Sequence, residues 1–260
     1  IKTLTGFTAG IMTTKTKDFL GQPGGLSTLF FTEMWERMSY YGMRALLVLF
    51  MTASIQEGGL VITVASATAI YGLYTGAVYF MGLPGGWIAD RLIGGQRAVW
   101  YGGVIIMCGH IVLAIPNNST FFVGLVLVVL GTGLLKPNIG AMVGQLYADA
   151  DDRRDSGYTL YYLGINLGSI IGYIVCGYLQ VEMGWHWAFG AAAIGMGIGL
   201  IQYRMTIHKL DGAGAQPMVA MSATATKRSW QVIAVAMLGL AVVTYLMISG
   251  QLSFDPVTMA

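Results

Sequence analysis

Charge is what this sequence has least of. Only 10% of its 260 residues are Asp, Glu, Lys or Arg, against about a quarter in an ordinary soluble domain, and 55% are hydrophobic. That balance excludes a soluble globular domain and indicates an integral membrane protein. The net charge of +2 comes with no basic patch, so nucleic acid is not an expected partner. The two cysteines, Cys108 and Cys176, lie within apolar runs and near no other ligand type, and read as small packing residues. No His, Cys and carboxylate group has metal spacing, and there is no nucleophile triad or phosphate-cradling loop, so neither an enzyme nor a cofactor is expected. His110 reads as a satisfied packing residue. Residues 1–25 lack the continuous apolar stretch of a signal peptide. Because the chain begins at Ile1, further sequence is expected before it.

Apolar runs are plentiful. Seven candidate spans lie near 26–53, 63–89, 97–115, 119–147, 156–180, 185–206 and 229–250, with a Gly/Ala/Ser/Thr-rich linker at 207–228 before the last. The basic residues sort cleanly between the connections. Lys2, Lys15 and Lys17 precede the first span; Arg91 and Arg97 follow the second; Arg153 and Arg154 follow the fourth; Arg204, Lys209, Lys227 and Arg228 lie between the sixth and seventh. The alternate connections carry none. The positive-inside rule therefore predicts a cytoplasmic N terminus and a multi-pass chain. The 37 glycines suit close helix packing in lipid.

The exceptional stretch is in the first span. Glu33, Glu36, Arg37, Tyr40, Tyr41 and Arg44 follow the i, i+3, i+4, i+7, i+8, i+11 rule and share one helix face. A charge at mid-membrane costs about 2.5–3.5 kcal/mol, so four unpaired would cost on the order of 10 kcal/mol. The stripe must face partners or a water-filled cavity. A plain alternative is a structural Glu–Arg pair that pins helices together.

Other polar residues fall at similar depth. At ~1.5 Å per residue, Arg37, Tyr79, Lys136 and Asn166 each lie about 15–18 Å from the cytoplasmic ends of their helices, near the bilayer midplane. Lys136 precedes Pro137, which loosens its helix, and is expected to rest against Glu33 or Glu36. Gly164, Gly168 and Gly172 form a close-packing face beside Asn166, which reads as buried glue or as a ligand contact. The stretch 85–97, with Asp90 and Arg91, reads as a tight glycine-rich cytoplasmic turn whose charges clip and release helix ends.

With those residues in view, the sequence resembles the proton-dependent oligopeptide transporters of the major facilitator superfamily. Glu33-x-x-Glu36-Arg37-x-x-Tyr40-Tyr41-Gly42 resembles their E-x-x-E-R-x-x-Y-Y-G motif, and Gly86 to Arg91 resembles the superfamily's helix 2–3 motif. The stretches Gly131–Asn138 and Tyr161–Ser169 resemble the family's helix 4 and helix 5 signatures. The resemblance implies an all-α membrane protein: a major-facilitator-type six-helix N-terminal bundle of two three-helix inverted repeats, plus one additional transmembrane helix. It implies a division into a cytoplasmic segment 1–25, a bundle 26–206, a linker 207–228 and an extra helix with outer tail 229–260.

The resemblance further implies proton-coupled import of di- and tripeptides across a bacterial inner membrane. Glu33, Glu36, Arg37 and Lys136 would couple proton movement, and protons rather than a cofactor would drive transport. Tyr40, Tyr41, Arg44, Tyr79, Lys136 and Asn166 would bind peptide, with Arg44 and Lys136 receiving its carboxylate. Asp90 and Arg91 would gate. The family has a second six-helix bundle with acids that pair with Arg44 and Lys136. This chain therefore resembles an N-terminal half, and residues 1–260 by themselves are not expected to transport. Rival readings are another proton-coupled major facilitator for nitrate, drugs or sugars, and a non-transporting helical scaffold whose stripe would be dry and fully paired.

Overall fold

The computed structural model describes residues 18–249 and 251. The expected charges Lys2, Lys15 and Lys17 and most of the tail after 249 lie outside these residues. Among the described residues there are seven α-helices: α1 Gly25–Thr52, α2 Val64–Ile88, α3 Gly95–Leu113, α4 Asn118–Gln145, α5 Arg154–Met183, α6 Trp185–Thr206 and α7 Ala223–Ile248. A π-helical turn, Ala89–Ile93, extends α2, and a 3-10 turn, Ile207–Leu210, follows α6. The helices lie on the seven apolar runs. The largest difference is α7, which starts at Ala223 rather than 229, because the Ser222 hydroxyl caps it by accepting from Ala225 N at 3.3 Å.

Four helical segments, Val64–Ile93, Thr120–Gln145, Arg154–Met183 and Ala223–Met247, are long and apolar enough to cross a membrane by length and composition. Charged α1 is not one of them; it runs through the bundle with most of its residues buried. It packs on α5 and α6, α4 packs on α2 and α3, and α3 packs on α6. Exchanging α1 with α4, α2 with α5 and α3 with α6 maps these five pairs onto themselves; the packing of α5 on α6 has no counterpart of that extent between α2 and α3. Two three-helix repeats give that pattern.

The repeats share a second feature. Gly94 (φ 82°, ψ 156°) is the single residue between the π turn and α3, and Gly184 (φ 95°, ψ 176°) is the single residue between α5 and α6. Only glycine takes this backbone region at low cost. The stretch 85–97 is thus not a glycine-rich loop. Gly85 and Gly86 belong to α2, and the reversal is confined to Gly94.

Other glycines set helix distances. The Gly164, Gly168 and Gly172 face of α5 lies against α1, where added methyls would meet Phe30 Cδ2, Arg37 Cβ and Gly42 N at 3.0, 3.0 and 2.9 Å. On α2 and α4, Gly85 and Gly133 let the backbones meet beside Pro137. Pro137 cannot donate to the Gly133 carbonyl, yet α4 continues through it, and Asn138 Nδ2 donates to Leu134 O at 2.6 Å and Gly85 O at 3.3 Å. This amide clamps α4 to α2 where the proline weakens the helix.

The segment after α6 is not a loose linker. Leu210 is buried, Gln96 Nε2 donates to Ala213 O at 2.9 Å, Gly214 N donates to Gln145 Oε1 at 2.7 Å, and Val219 N donates to Asp90 O at 2.9 Å. These bonds strap residues 207–219 across the ends of α2, α3 and α4. Nearby, Gln22 donates to Ser156 Oγ at 3.1 Å and accepts from the Tyr147 hydroxyl at 3.0 Å, tying the chain ahead of α1 to α4 and α5. Basic residues Arg91, Arg97, Arg153, Arg154, Arg204 and Lys209 occupy the junctions joined at this end. In contrast, α7 touches the bundle only lightly, at α4.

Candidate functional site

The α1 stripe forms a continuous polar column. Glu33, Glu36 and Arg37 are at most 1% exposed. Arg37 Nε pairs with Glu33 Oε1 at 3.1 Å and with Glu36 Oε2 at closer range. Glu33 Oε2, Glu36 Oε1 and Arg37 Nη2 are buried without a hydrogen-bond partner among the described residues. Each such atom costs about 1–3 kcal/mol of lost hydration. Two carboxylates share one guanidinium, so the triad carries one negative charge in excess when both are ionised. Gly168 of α5 holds Arg37 in place, since its hydrogen leaves just the room the Arg37 Cβ needs.

One turn further, cations meet phenols instead of carboxylates. Arg37 Cζ lies 4.8 Å from the Tyr40 ring centroid and 5.8 Å from that of Tyr41. Arg44 Cζ lies 6.0 Å from the Tyr41 ring and 5.3 Å from that of Tyr71, whose hydroxyl accepts a close hydrogen bond from Arg44 Nε. Lys136 Nζ sits 5.0 Å over the Tyr79 ring. Such cation–π contacts hold a cation without cancelling its charge. Among the described residues no carboxylate lies within 4.0 Å of Arg44 or Lys136. The expected resting pair between Lys136 and Glu33 or Glu36 is therefore corrected: Arg37 occupies both carboxylates, and Lys136 rests on Tyr79.

Not every expected residue joins the column. Asn166 is exposed, not buried, and donates to Tyr162 O at 3.1 Å in its own helix. The α5 glycines turn one face to α1, which puts Asn166 on the opposite side. Tyr79 is 65% exposed although Lys136 touches it. The column is not uniformly accessible: among the described residues its Glu33–Arg37 part is buried, while Tyr41 and Arg44 are half-buried. Nor is it the dry, fully paired scaffold of the rival reading, given the orphaned triad atoms. Asp90 and Arg91 are exposed and make no ion pair among the described residues; the Asp90 backbone, not its carboxylate, makes the tie to the strap. His110 is fully buried, but neither ring nitrogen has a hydrogen-bond partner among the described residues.

The sequence reading passed over Tyr71, Tyr74 and Thr75 of α2 and Tyr161 of α5. Tyr74 and Thr75 point unpartnered hydroxyls into the interior, and buried Tyr161 neighbours Glu33. The signal was present. Tyr71, Tyr74, Thr75 and Tyr79 follow the same helical spacing as the α1 stripe.

Comparison with known proteins decides the family. The sequence model of the POT family matches residues 96–239, more than half of the chain. This chain belongs to the POT family. Among POT relatives, the peptide transporter YePEPT of Yersinia enterocolitica is 49% identical over 191 residues, covering 72% of this chain and 37% of its own length. A di-/tripeptide transporter of Lactococcus lactis subsp. cremoris is 43% identical over 236 residues, 89% of this chain and 47% of that protein. The crystal structure of a peptide transporter POT in complex with sulfate superposes with a TM-score of 0.86 at 43% identity, covering 94% of this chain and 50% of that one. The chain thus spans about half the length of the POT relatives it matches. The α1 residues of the column precede residue 96 and are an observation separate from the family match, whereas Lys136 of α4 lies within it.

Proposed function

We propose that this chain works with a second bundle as a proton-coupled symporter that imports di- and tripeptides by alternating access. The observation that carries the reading is the division of the polar column into an acid-rich buried triad and two cations held only by phenols. A proton delivered to Glu36 Oε1, which has no partner, removes the excess negative charge of the triad. Arg37 then needs only Glu33 to balance it. Arg44 and Lys136 keep their charge and can receive a peptide carboxylate, for which Arg and Lys donors are suited. Tyr40, Tyr41 and Tyr79 line the approach. Asn166, on the exposed face of α5, would reach peptide only where a second bundle encloses that face.

The remaining assignments follow the same reading. Residues 26–206 form the transporting bundle, and the basic end with the strap faces the cytoplasm of a bacterial inner membrane. Asp90 and Arg91 gate at that end, where rocking of the bundle would stress the Val219 tie. The names of the POT relatives, a peptide transporter and a di-/tripeptide transporter, support peptide as cargo over nitrate, drugs or sugars.

The test is uptake of a labelled dipeptide into liposomes holding the full-length protein. An inward proton gradient should drive accumulation, with other di- and tripeptides competing and free amino acids not. Equal uptake with and without the gradient, or competition by free amino acids, contradicts the proposal.

A further inference from the structure

A hollow lies away from the column, between α3 and α6. It has a volume of about 400 Å³ and is lined by Gln96, Arg97, Trp100 and Tyr101 of α3, Arg204 of α6 and Ile207 of the 3-10 turn. Arg97 and Arg204 are exposed, and neither has an ion-pair partner among the described residues. Two arginines thus line one hollow whose lining supplies no carboxylate.

The floor of the hollow is fixed. Tyr203, fully buried, donates to Gln96 O at 3.0 Å, and Gln96 bonds the strap through its side chain and through its N–H to Gly214 O at 2.8 Å. Just along the helices, Gly103 brings α3 against Leu200 and Met196 of α6. The backbone positions of residues 97 and 204 are therefore set by the fold.

The surroundings favour a lipid over a free anion. Trp100 and Tyr101 have the amphipathic character of side chains at the headgroup level. From Arg204 an exposed apolar stripe runs down α6 through Met205, Ile201, Ile198 and Ile194, which are 70, 63, 41 and 67% exposed. An inorganic anion has no use for that stripe, whereas an acyl chain does. We infer that the Arg97–Arg204 cavity binds the phosphate of an anionic phospholipid headgroup, with the acyl chains along the α6 stripe. Arg forks match phosphate oxygens, and basic hollows between transmembrane helices suit such headgroups.

The test titrates purified full-length protein in neutral detergent with phosphatidylglycerol, phosphatidylcholine or inorganic phosphate and follows the thermal unfolding midpoint. Phosphatidylglycerol should raise the midpoint saturably, and phosphatidylcholine should not. Arg97→Gln and Arg204→Gln should each weaken the apparent affinity about fivefold, and the double variant about 25-fold. Arg228→Gln, an exposed cation outside the hollow, should leave it unchanged. Arg97→Lys/Arg204→Lys should recover most of the effect, which separates charge loss from misfolding. No lipid-specific rise, an equal rise with inorganic phosphate, or equal loss in Arg228→Gln overturns the inference.

Discussion

The two ends of the α1 column differ in what surrounds their cations. Arg37 is buried and shared by two carboxylates, whereas Arg44 sits half-buried on phenol rings with no carboxylate within 4.0 Å among the described residues, and Lys136 of α4 rests on Tyr79 in the same way. A buried ion pair neutralises a charge and holds it; a phenol ring orients a charge and leaves it available. The same residue type, arginine, is thus neutralised at one end and left with its charge at the other, and the proposed function makes the first end proton-linked and the second a peptide contact. Position relative to the glycine face of α5 makes the difference, because close packing at Gly168 excludes water from Arg37 but not from Arg44 two turns on.

Substitutions at the two ends should separate accordingly. The largest effect belongs to Arg37→Gln, which leaves two buried carboxylates facing each other. It should lower stability by about 3–5 kcal/mol, read as a fall in the thermal midpoint of the detergent-purified full-length protein; a shift near zero would make the triad incidental. Next comes Lys136→Gln. It should weaken dipeptide binding by about tenfold to a hundredfold, as expected for losing one charged hydrogen bond, with the midpoint little changed because Lys136 closes no ion pair. A large stability loss there would blur the contrast between the ends.

Tyr71→Phe removes only the hydroxyl that accepts from Arg44. Its expected cost is about 1 kcal/mol, visible as a modest midpoint shift and a few-fold change in dipeptide affinity. Tyr79→Phe keeps the ring under Lys136 and should change binding by less than about twofold; a larger loss would mean that the hydroxyl itself contacts peptide.

Much of this was legible in the residue spacing. The shared face of Glu33, Glu36, Arg37, Tyr40, Tyr41 and Arg44 follows from helical geometry alone, as does the glycine face at 164, 168 and 172. Periodicity shows which residues share a face, but not where that face points. The spacing therefore does not reveal that Asn166, opposite the glycines that meet α1, is exposed. Lys136 was matched to a carboxylate because charge rules favour one; the choice of Tyr79 depends on the α2–α4 crossing at Gly85 and Gly133, which sequence does not reveal. The strap 207–219 has no apolar period, and its backbone and glutamine bonds leave no mark in composition. Of the many glycines near 85–97, only Gly94 makes the turn, a distinction carried by backbone angles.

The most direct measurement concerns the division of labour itself. In liposomes with the full-length protein, Glu36→Gln should abolish dipeptide accumulation driven by a proton gradient while leaving counterflow exchange of dipeptide across the membrane intact; Lys136→Gln should impair both. If Glu36→Gln accumulates peptide as the unaltered protein does, the buried triad is not the proton-coupling site and the account fails.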